Sequence, residues 1–66
     1  MERLADRLAR NIRRLRGDRT QMAFAKKLGI AVSSLNRIEQ GTQNVTLATL
    51  DRLCRRLKCD VKDLLS

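Results

Sequence analysis

Three glycines divide the first part of this chain into short segments with helical periodicity. Gly17, Gly29 and Gly41 each follow a segment whose apolar residues recur at three- or four-residue spacing. A glycine can adopt the left-handed conformation that ends a helix. The chain contains no proline and a single aromatic residue, Phe24, and it lacks the alternating pattern of strands. The sequence therefore predicts an all-α protein, with short helices joined by tight turns.

Five helices are predicted, and residues suited to the first position before a helix precede three of them. Thr20, Thr46 and Asp60 can each accept a hydrogen bond from a free main-chain N–H, with Asp63 as a partner of Asp60. The first four predicted helices cover residues 4–16, 21–28, 32–40 and 47–57, and a short fifth follows residue 60. The predicted core comprises Leu4, Leu8, Ile12, Leu15, Phe24, Ala25, Leu28, Leu35, Ile38, Leu47, Leu50, Leu53, Cys54 and Leu57.

The length and charge of the chain limit the class of protein to which it can belong. A chain of 66 residues predicts one domain, residues 1–66, with one modest core. Its formal net charge of +8, from 15 Lys and Arg against 7 Asp and Glu, favours a polyanionic partner, either nucleic acid or an anionic membrane surface. No apolar run approaches the roughly 18 residues of a membrane span. The charged amino terminus is unlike a signal peptide, so we expect a cytoplasmic protein.

The sequence lacks the sets of residues that commonly support catalysis, metal binding and a disulfide framework. Histidine is absent, which removes the commonest general base and metal ligand. Cys54 and Cys59 suggest no disulfide framework, are too few for a zinc site, and are interpreted as small core residues. We also find no nucleophile–base set and no phosphate-binding glycine loop. The sequence predicts a protein that is not an enzyme and that needs no metal, cofactor or small-molecule ligand.

The predicted third helix has two faces of different character. At about 100° per residue, Leu35 and Ile38 fall on one side and form the buried face. The opposite face combines short or hydrogen-bonding side chains that could approach base edges and phosphates. The major groove of DNA is the groove wide enough to admit a helix. The residues of this outer face are Val32, Ser33, Asn36, Arg37 and Gln40.

The stretch QMAFAKKLGIAVSSLNRIEQG resembles the helix-turn-helix of the phage repressor and Cro-type (Xre-like) family. The resemblance rests on Gln21, Ala25, Gly29, Leu35 and Ile38 and on the ending RIEQG, and NIRRLR and TLATLDRLCRRLKCDVKDLL extend it to about residues 8–65. It implies a compact five-helix, lambda-repressor-like fold. It also implies a homodimeric regulator, most simply a repressor, that binds a pseudo-palindromic operator of two half-sites about one helical turn apart.

The resemblance also assigns roles to individual residues. The helix over residues 32–40 would be the recognition helix, with Val32, Ser33 and Arg37 as base readers and Asn36 nearby. Gln21 would contact phosphate, and Thr20, Gln40, Thr42 and Asn44 would add further contacts to the DNA backbone. The dimer interface is expected around Val61, Leu64 and Leu65.

The chain departs from the family pattern at several positions. Ala31 stands where a serine would cap the recognition helix, and Val32 replaces a polar residue. Val45 replaces a proline, and Lys58 occupies a position that is usually glycine. The first of these changes leaves the recognition helix without a side-chain cap.

Glu39 is the only acidic residue between Asp18 and Asp51, and it lies at the edge of the buried face of its helix. An acid on a DNA-facing surface would repel phosphate, so we expect Glu39 to turn inward. The resemblance implies an ion pair with an arginine late in the first helix. Arg16 is the matching residue, with Arg13 as the second candidate, and the pair would brace the recognition helix.

Two other functions remain open. An antitoxin-like protein could use the same fold to mask a partner, and would need an exposed apolar patch or an extension beyond Ser66. A basic amphipathic membrane binder should carry aromatic anchors, and the sequence has one aromatic residue. Within the family, phage switches, restriction–modification controllers and antitoxins are not distinguished by the sequence.

Overall fold

The structure, a computed structural model, describes residues 2–42 and 44–66. In these two ranges the chain forms helices and no strand, which confirms the predicted all-α, five-helix fold. The helices are α1 (Leu4–Arg16), α2 (Gln21–Leu28), α3 (Val32–Gln40), α4 (Leu47–Leu57) and α5 (Val61–Leu65). Helix α1 packs against α3 and α5, α2 packs against α3 and α4, and α4 contacts α5.

The predicted helix boundaries are confirmed by their end structures. The hydroxyl oxygens of Thr20 and Thr46 each accept a hydrogen bond from the main-chain N–H three residues later, at 3.0 and 3.1 Å. The carboxylate of Asp63 accepts from the N–H of Asp60 at 2.9 Å. Gly29 and Gly41, with φ of 73° and 72°, take the left-handed conformation that ends α2 and α3. Ala31 provides no side-chain cap for α3, as expected.

One core joins all five helices. Its largest fully buried side chains are Ile12, Phe24, Leu28, Leu35, Leu53 and Leu64. Three residues of the predicted core are instead largely exposed, namely Leu4 at 61 %, Leu15 at 38 % and Leu47 at 84 %. They lie near helix ends, beyond the central turns of α1 and α4 that neighbouring helices cover. Periodicity assigned the correct face of these helices but overestimated the length of the face that is buried.

Asn11 is a buried polar residue that the sequence pattern did not single out. Its side-chain Nδ2 donates to the carbonyl oxygens of Leu64 at 2.8 Å and Ser66 at 3.0 Å. The last carbonyls of a helix have no partner within the helix, so a buried amide with two N–H donors satisfies them. Asn11 thereby fixes the carboxyl end of α5 against α1.

Lys58 ends α4 with a positive φ of 55°, the one such non-glycine residue among those described. The N–H of Cys59 donates to the carbonyl of Cys54 at 3.0 Å, and the N–H of Lys58 donates to that of Arg55 at 3.4 Å. These two bonds form a Schellman motif, in which glycine is usual at the left-handed position. A lysine there carries steric strain from its Cβ.

Replacing Lys58 with glycine is expected to stabilise the fold by about 0.5–1 kcal/mol, because relief of the left-handed strain exceeds the added chain entropy. Urea denaturation at neutral pH measures the effect. Lys58→Ala is the control, since it removes the same charge but retains the Cβ. Equal stability of the glycine and alanine variants would show that relief of the strain at Lys58 does not exceed the added chain entropy.

Candidate nucleic-acid interface

Helix α3 is anchored by its inner face and leaves its outer face free. Leu35 and Ile38 are buried at 0 % and 2 % exposure. The predicted contact residues on the opposite side are all exposed, including Val32 at 40 %. They are Val32, Ser33, Asn36, Arg37 and Gln40. Their roles in binding remain predictions, but their side chains are available to a ligand.

Glu39 turns inward and is 5 % exposed, so an ionised carboxylate at this position requires partners. Arg16 supplies a bidentate pair, with Nε 2.8 Å from Oε2 and Nη2 3.1 Å from Oε1. Gln21 Nε2 adds a third hydrogen bond to Oε1 at 3.2 Å. One carboxylate of α3 thus joins side chains from α1 and α2, which fixes the rotation of α3 about its axis.

The amide of Gln21 connects this buried network to the outer face of α3. Besides donating to Glu39, Nε2 donates to Oδ1 of Asn36 at 3.4 Å. The side chain predicted to contact phosphate is therefore engaged within the protein. It would contact DNA only by exchanging one of these bonds or through the atoms that remain free.

Two further arginines hold the carboxyl end of α3. Arg13, the second candidate for pairing with the carboxylate of Glu39, instead donates from Nη1 to the main-chain oxygen of that residue. Arg3 Nη2 donates to the carbonyl of Gly41 at 3.2 Å and also pairs with Asp6. Cations near the last carbonyls of a helix offset its partial negative charge. No sequence signal identified Arg3, because its partner is a main-chain atom distant in the chain.

The side chains of Arg3 and Asp6 interact on the surface beside this end of α3. Hydrogen bonding from Arg3, at 3.0 and 3.1 Å, lowers the pKa of the Asp6 carboxyl below its ordinary value. The pair therefore stays ionised and keeps the guanidinium of Arg3 positioned toward the Gly41 carbonyl.

Two arginines of α4 contact the turn between α2 and α3. Arg52 Nη1 donates to the carbonyl of Gly29 at 3.3 Å. The guanidinium of Arg56 packs on the same glycine, where an added Cβ would lie 3.1 Å from Nη2. Arg55, the third arginine on the surface of α4, pairs with Asp51 at 3.0 Å and does not contact Gly29. The other two instead support the turn.

The remaining predicted contacts flank α3. Thr20 is exposed at the start of α2, beside Gln21. Thr42 follows α3 and donates its hydroxyl to the carbonyl of Arg37 at 3.3 Å. Asn44 is exposed and lines an apolar cleft with Leu4 and Leu47. Its assignment to DNA contact has the weakest structural basis of the set.

The charge of this surface favours an anionic ligand. Lys26 and Lys27 on α2 and Arg37 on α3 are exposed and form no ion pair within residues 2–42 and 44–66. The one acid on these two helices, Glu39, is neutralised by Arg16. The positive potential of α2 and α3 is therefore not cancelled locally.

Two other kinds of site are not found in the described part of the chain. No group of three or more His, Cys, Asp or Glu residues there could hold a metal ion. No helix among the described residues has the length and apolar character required to cross a membrane.

Helices α2 and α3 are short and are joined at a left-handed glycine. The second of them has a buried inner face and an exposed polar outer face. This arrangement defines a helix-turn-helix domain. The chain matches the model of the Cro/C1-type HTH DNA-binding domain family over residues 4–66. It belongs to that family, and the resemblance found in the sequence is confirmed. DNA binding is the activity that defines this domain.

One curated relative shares part of its length with this chain. Antitoxin PezA from Streptococcus pneumoniae serotype 4 (strain ATCC BAA-334 / TIGR4) is 36% identical over 59 residues, which cover 86% of this chain. The matched region is 37% of the antitoxin, so the chain spans little more than a third of that relative's length. No solved structure shows a significant match.

The three residues of the predicted dimer surface differ in their exposure within the single chain. Leu64 is 0 % exposed because it belongs to the core of the single chain, so it is not available to a second copy. Val61 is 48 % exposed and Leu65 is half-buried. Leu47, predicted to be a core residue, is 84 % exposed and lines a surface cleft together with Val61.

Proposed function

We propose that this chain is a sequence-specific transcriptional regulator, most simply a homodimeric repressor, that inserts α3 into the major groove of double-stranded DNA. The observation that carries the proposal is the division of α3 into two faces. Its inner face is fixed by Leu35, Ile38 and the Arg16–Glu39 pair, and its outer face is exposed and free of acidic groups. Membership of a DNA-binding domain family supports the same conclusion.

The outer face offers chemically distinct contacts. Arg37 can donate two hydrogen bonds to O6 and N7 of guanine, while Val32 can contact a thymine methyl group but cannot donate a hydrogen bond. Ser33 and Asn36, which lie between Val32 and Arg37 in sequence, add short polar groups to this face. Thr20, Gln21, Gln40 and Thr42 would contact phosphates, and these contacts would set the register of the protein and the salt dependence of its affinity.

Selection of binding sites from random duplex DNA tests the proposal. We expect an enriched motif with two related half-sites whose centres lie about one helical turn apart. Enrichment without symmetry would retain DNA binding and contradict the dimer. A folded chain that enriches no sequence would contradict sequence-specific regulation.

The dimer is supported by an apolar face on α4 and α5, formed by Leu47, Val61 and Leu65. Leu47 lines one surface cleft with Val61 and another with Leu65, and apolar side chains grouped on a surface favour an interaction site. Val61→Asp is expected to weaken self-association by roughly tenfold or more, since it places a charge in an apolar contact. The aspartate would occupy the first turn of α5, where negative charge is favourable, so folding should be retained.

Sedimentation equilibrium in the micromolar range measures this effect. Met22→Asp is the matched control, because Met22 is an exposed apolar residue, at 72 %, on a different helix. A wild-type chain that remains monomeric with and without its selected DNA would contradict the homodimer. Equal weakening by both substitutions would place the interface elsewhere.

An antitoxin-like role is the second candidate function, and the similarity to Antitoxin PezA favours it over other interaction roles. The same face of Leu47, Val61 and Leu65 would then contact a partner protein. Both roles could coexist on one domain, because this face and the outer face of α3 involve different residues. The site selection distinguishes them, since a chain that acts only by masking a partner would enrich no DNA sequence.

A further inference from the structure

Cys54 and Cys59 lie at the two ends of the turn that closes α4. The N–H of Cys59 donates to the carbonyl oxygen of Cys54 at 3.0 Å. Of the two hydrogen bonds of the Schellman motif, this one joins the residues that are farther apart in sequence. In this motif the side chains at these two positions commonly contact each other across the turn. The fold thus brings together two cysteines that are separated along the chain by four residues, the last of which, Lys58, has a left-handed backbone.

Both thiols are free, half-buried and open to the same surface cleft. The cleft has a volume of about 710 Å³, and Cys54, Cys59 and Val61 are among its lining residues. Burial raises the pKa of the Cys59 thiol, and the charge of the nearby Cys54 raises it further. A small reagent in solution can therefore reach a pair of neighbouring thiols.

We propose that Cys54 and Cys59 are a modification site that forms a reversible intramolecular disulfide with a low-molecular-weight disulfide of the glutathione type as oxidant. A disulfide requires Cα atoms roughly 4.4–6.8 Å apart. The main-chain hydrogen bond of 3.0 Å between the two residues holds their backbones next to each other. The bond would link Cys54, in the last turns of α4, to Cys59, which lies two residues before the start of α5.

The reaction proceeds by two exchanges. The thiolate of one cysteine attacks a sulfur of the small disulfide, forming a mixed disulfide and releasing one small thiolate. The thiolate of the second cysteine then attacks the protein sulfur of that mixed disulfide, forming the Cys54–Cys59 bond and releasing the second small thiolate. In total, the protein loses two protons and two electrons, and the oxidant is reduced to two thiols.

The native turn should make the second exchange favourable. In the unfolded chain, Lys58 rarely occupies the left-handed conformation that brings the two cysteines together. The fold maintains that conformation, so the second thiol is held near the mixed disulfide. By linkage, a disulfide that forms more readily in the folded chain also stabilises the fold relative to the reduced protein. The bond encloses no part of α2 or α3, so the outer face of α3 is expected to be unchanged by oxidation.

The test compares the folded chain with the same chain in concentrated guanidinium chloride. Each is equilibrated with mixtures of reduced and oxidised glutathione, quenched with acid, and quantified by mass spectrometry, with peptide mapping to locate the bond. We expect the effective concentration of one thiol at the other to be roughly tenfold or more higher in the folded chain. The single variants Cys54→Ser and Cys59→Ser should each form a mixed disulfide with glutathione, which shows that both thiols are reachable.

Three outcomes would overturn the proposal. The effective concentration in the folded chain could be equal to or lower than in the denatured chain. The folded chain could accumulate only mixed disulfides, or it could form disulfides only between two chains. Each would show that the native turn does not hold the two sulfur atoms in a bonding arrangement. The comparison uses the wild-type chain in both states, so it does not depend on the folding of a variant or on DNA binding.

Discussion

Replacing Arg37 with alanine is expected to reduce the affinity for a selected DNA site by about 1–3 kcal/mol, or roughly 5- to 150-fold. Arg37 is exposed on α3, and its guanidinium forms no ion pair or hydrogen bond among the described residues. Binding therefore breaks no ion pair or hydrogen bond of this side chain among the described residues. A bidentate contact to guanine would also make Arg37→Ala lose its preference at one base position in each half-site.

Titration against the selected site and against every single-base variant measures both effects, at two salt concentrations. Arg55→Ala is the matched control, because it removes one exposed positive charge from α4, where Arg55 pairs with Asp51. We expect that control to lower affinity slightly and equally on all sequences. The same uniform loss for Arg37→Ala would show that Arg37 contacts only phosphate.

Much of the fold follows from local sequence signals because helix ends and apolar faces are local properties. Thr20 and Thr46 accept hydrogen bonds from residues three positions away, and Gly29 adopts a conformation that its own chemistry permits. Leu47 shows where the prediction fails. Whether an apolar residue at a helix end is covered depends on the position of other helices, which periodicity alone does not contain.

The candidate site also has features that the sequence predicts and features that it does not. The outward face of α3 is a property of one helix and follows from its phase. The family resemblance implied the inward pair of Arg16 and Glu39, and the structure places these charges in contact. By contrast, Arg3, Arg13 and Arg52 donate to main-chain carbonyls. Every residue has a carbonyl, so sequence alone cannot identify which one an arginine will reach.

Replacing Glu39 with glutamine is expected to destabilise the fold by about 2 kcal/mol, because the amide cannot accept three hydrogen bonds from Arg16 and Gln21. Removal of one member of a fully buried ion pair costs about 3–5 kcal/mol. The smaller value is expected here because the side chain of Arg16 is 26% exposed and retains contact with water. For a domain of this size, the melting temperature should fall by about 8–16 °C.

Thermal and urea denaturation measure this loss, and Asp51→Asn is the matched control. That substitution also converts an acid to its amide opposite an arginine, but the Arg55–Asp51 pair has side chains that are 80% and 62% exposed. Its effect should stay within about 0.5 kcal/mol of zero. Affinity for the selected DNA, measured where both variants are fully folded, should fall for Glu39→Gln only, because the rotation of α3 would no longer be fixed. A Glu39→Gln protein that melts and binds DNA like the wild type would show that Leu35 and Ile38 alone position the recognition helix.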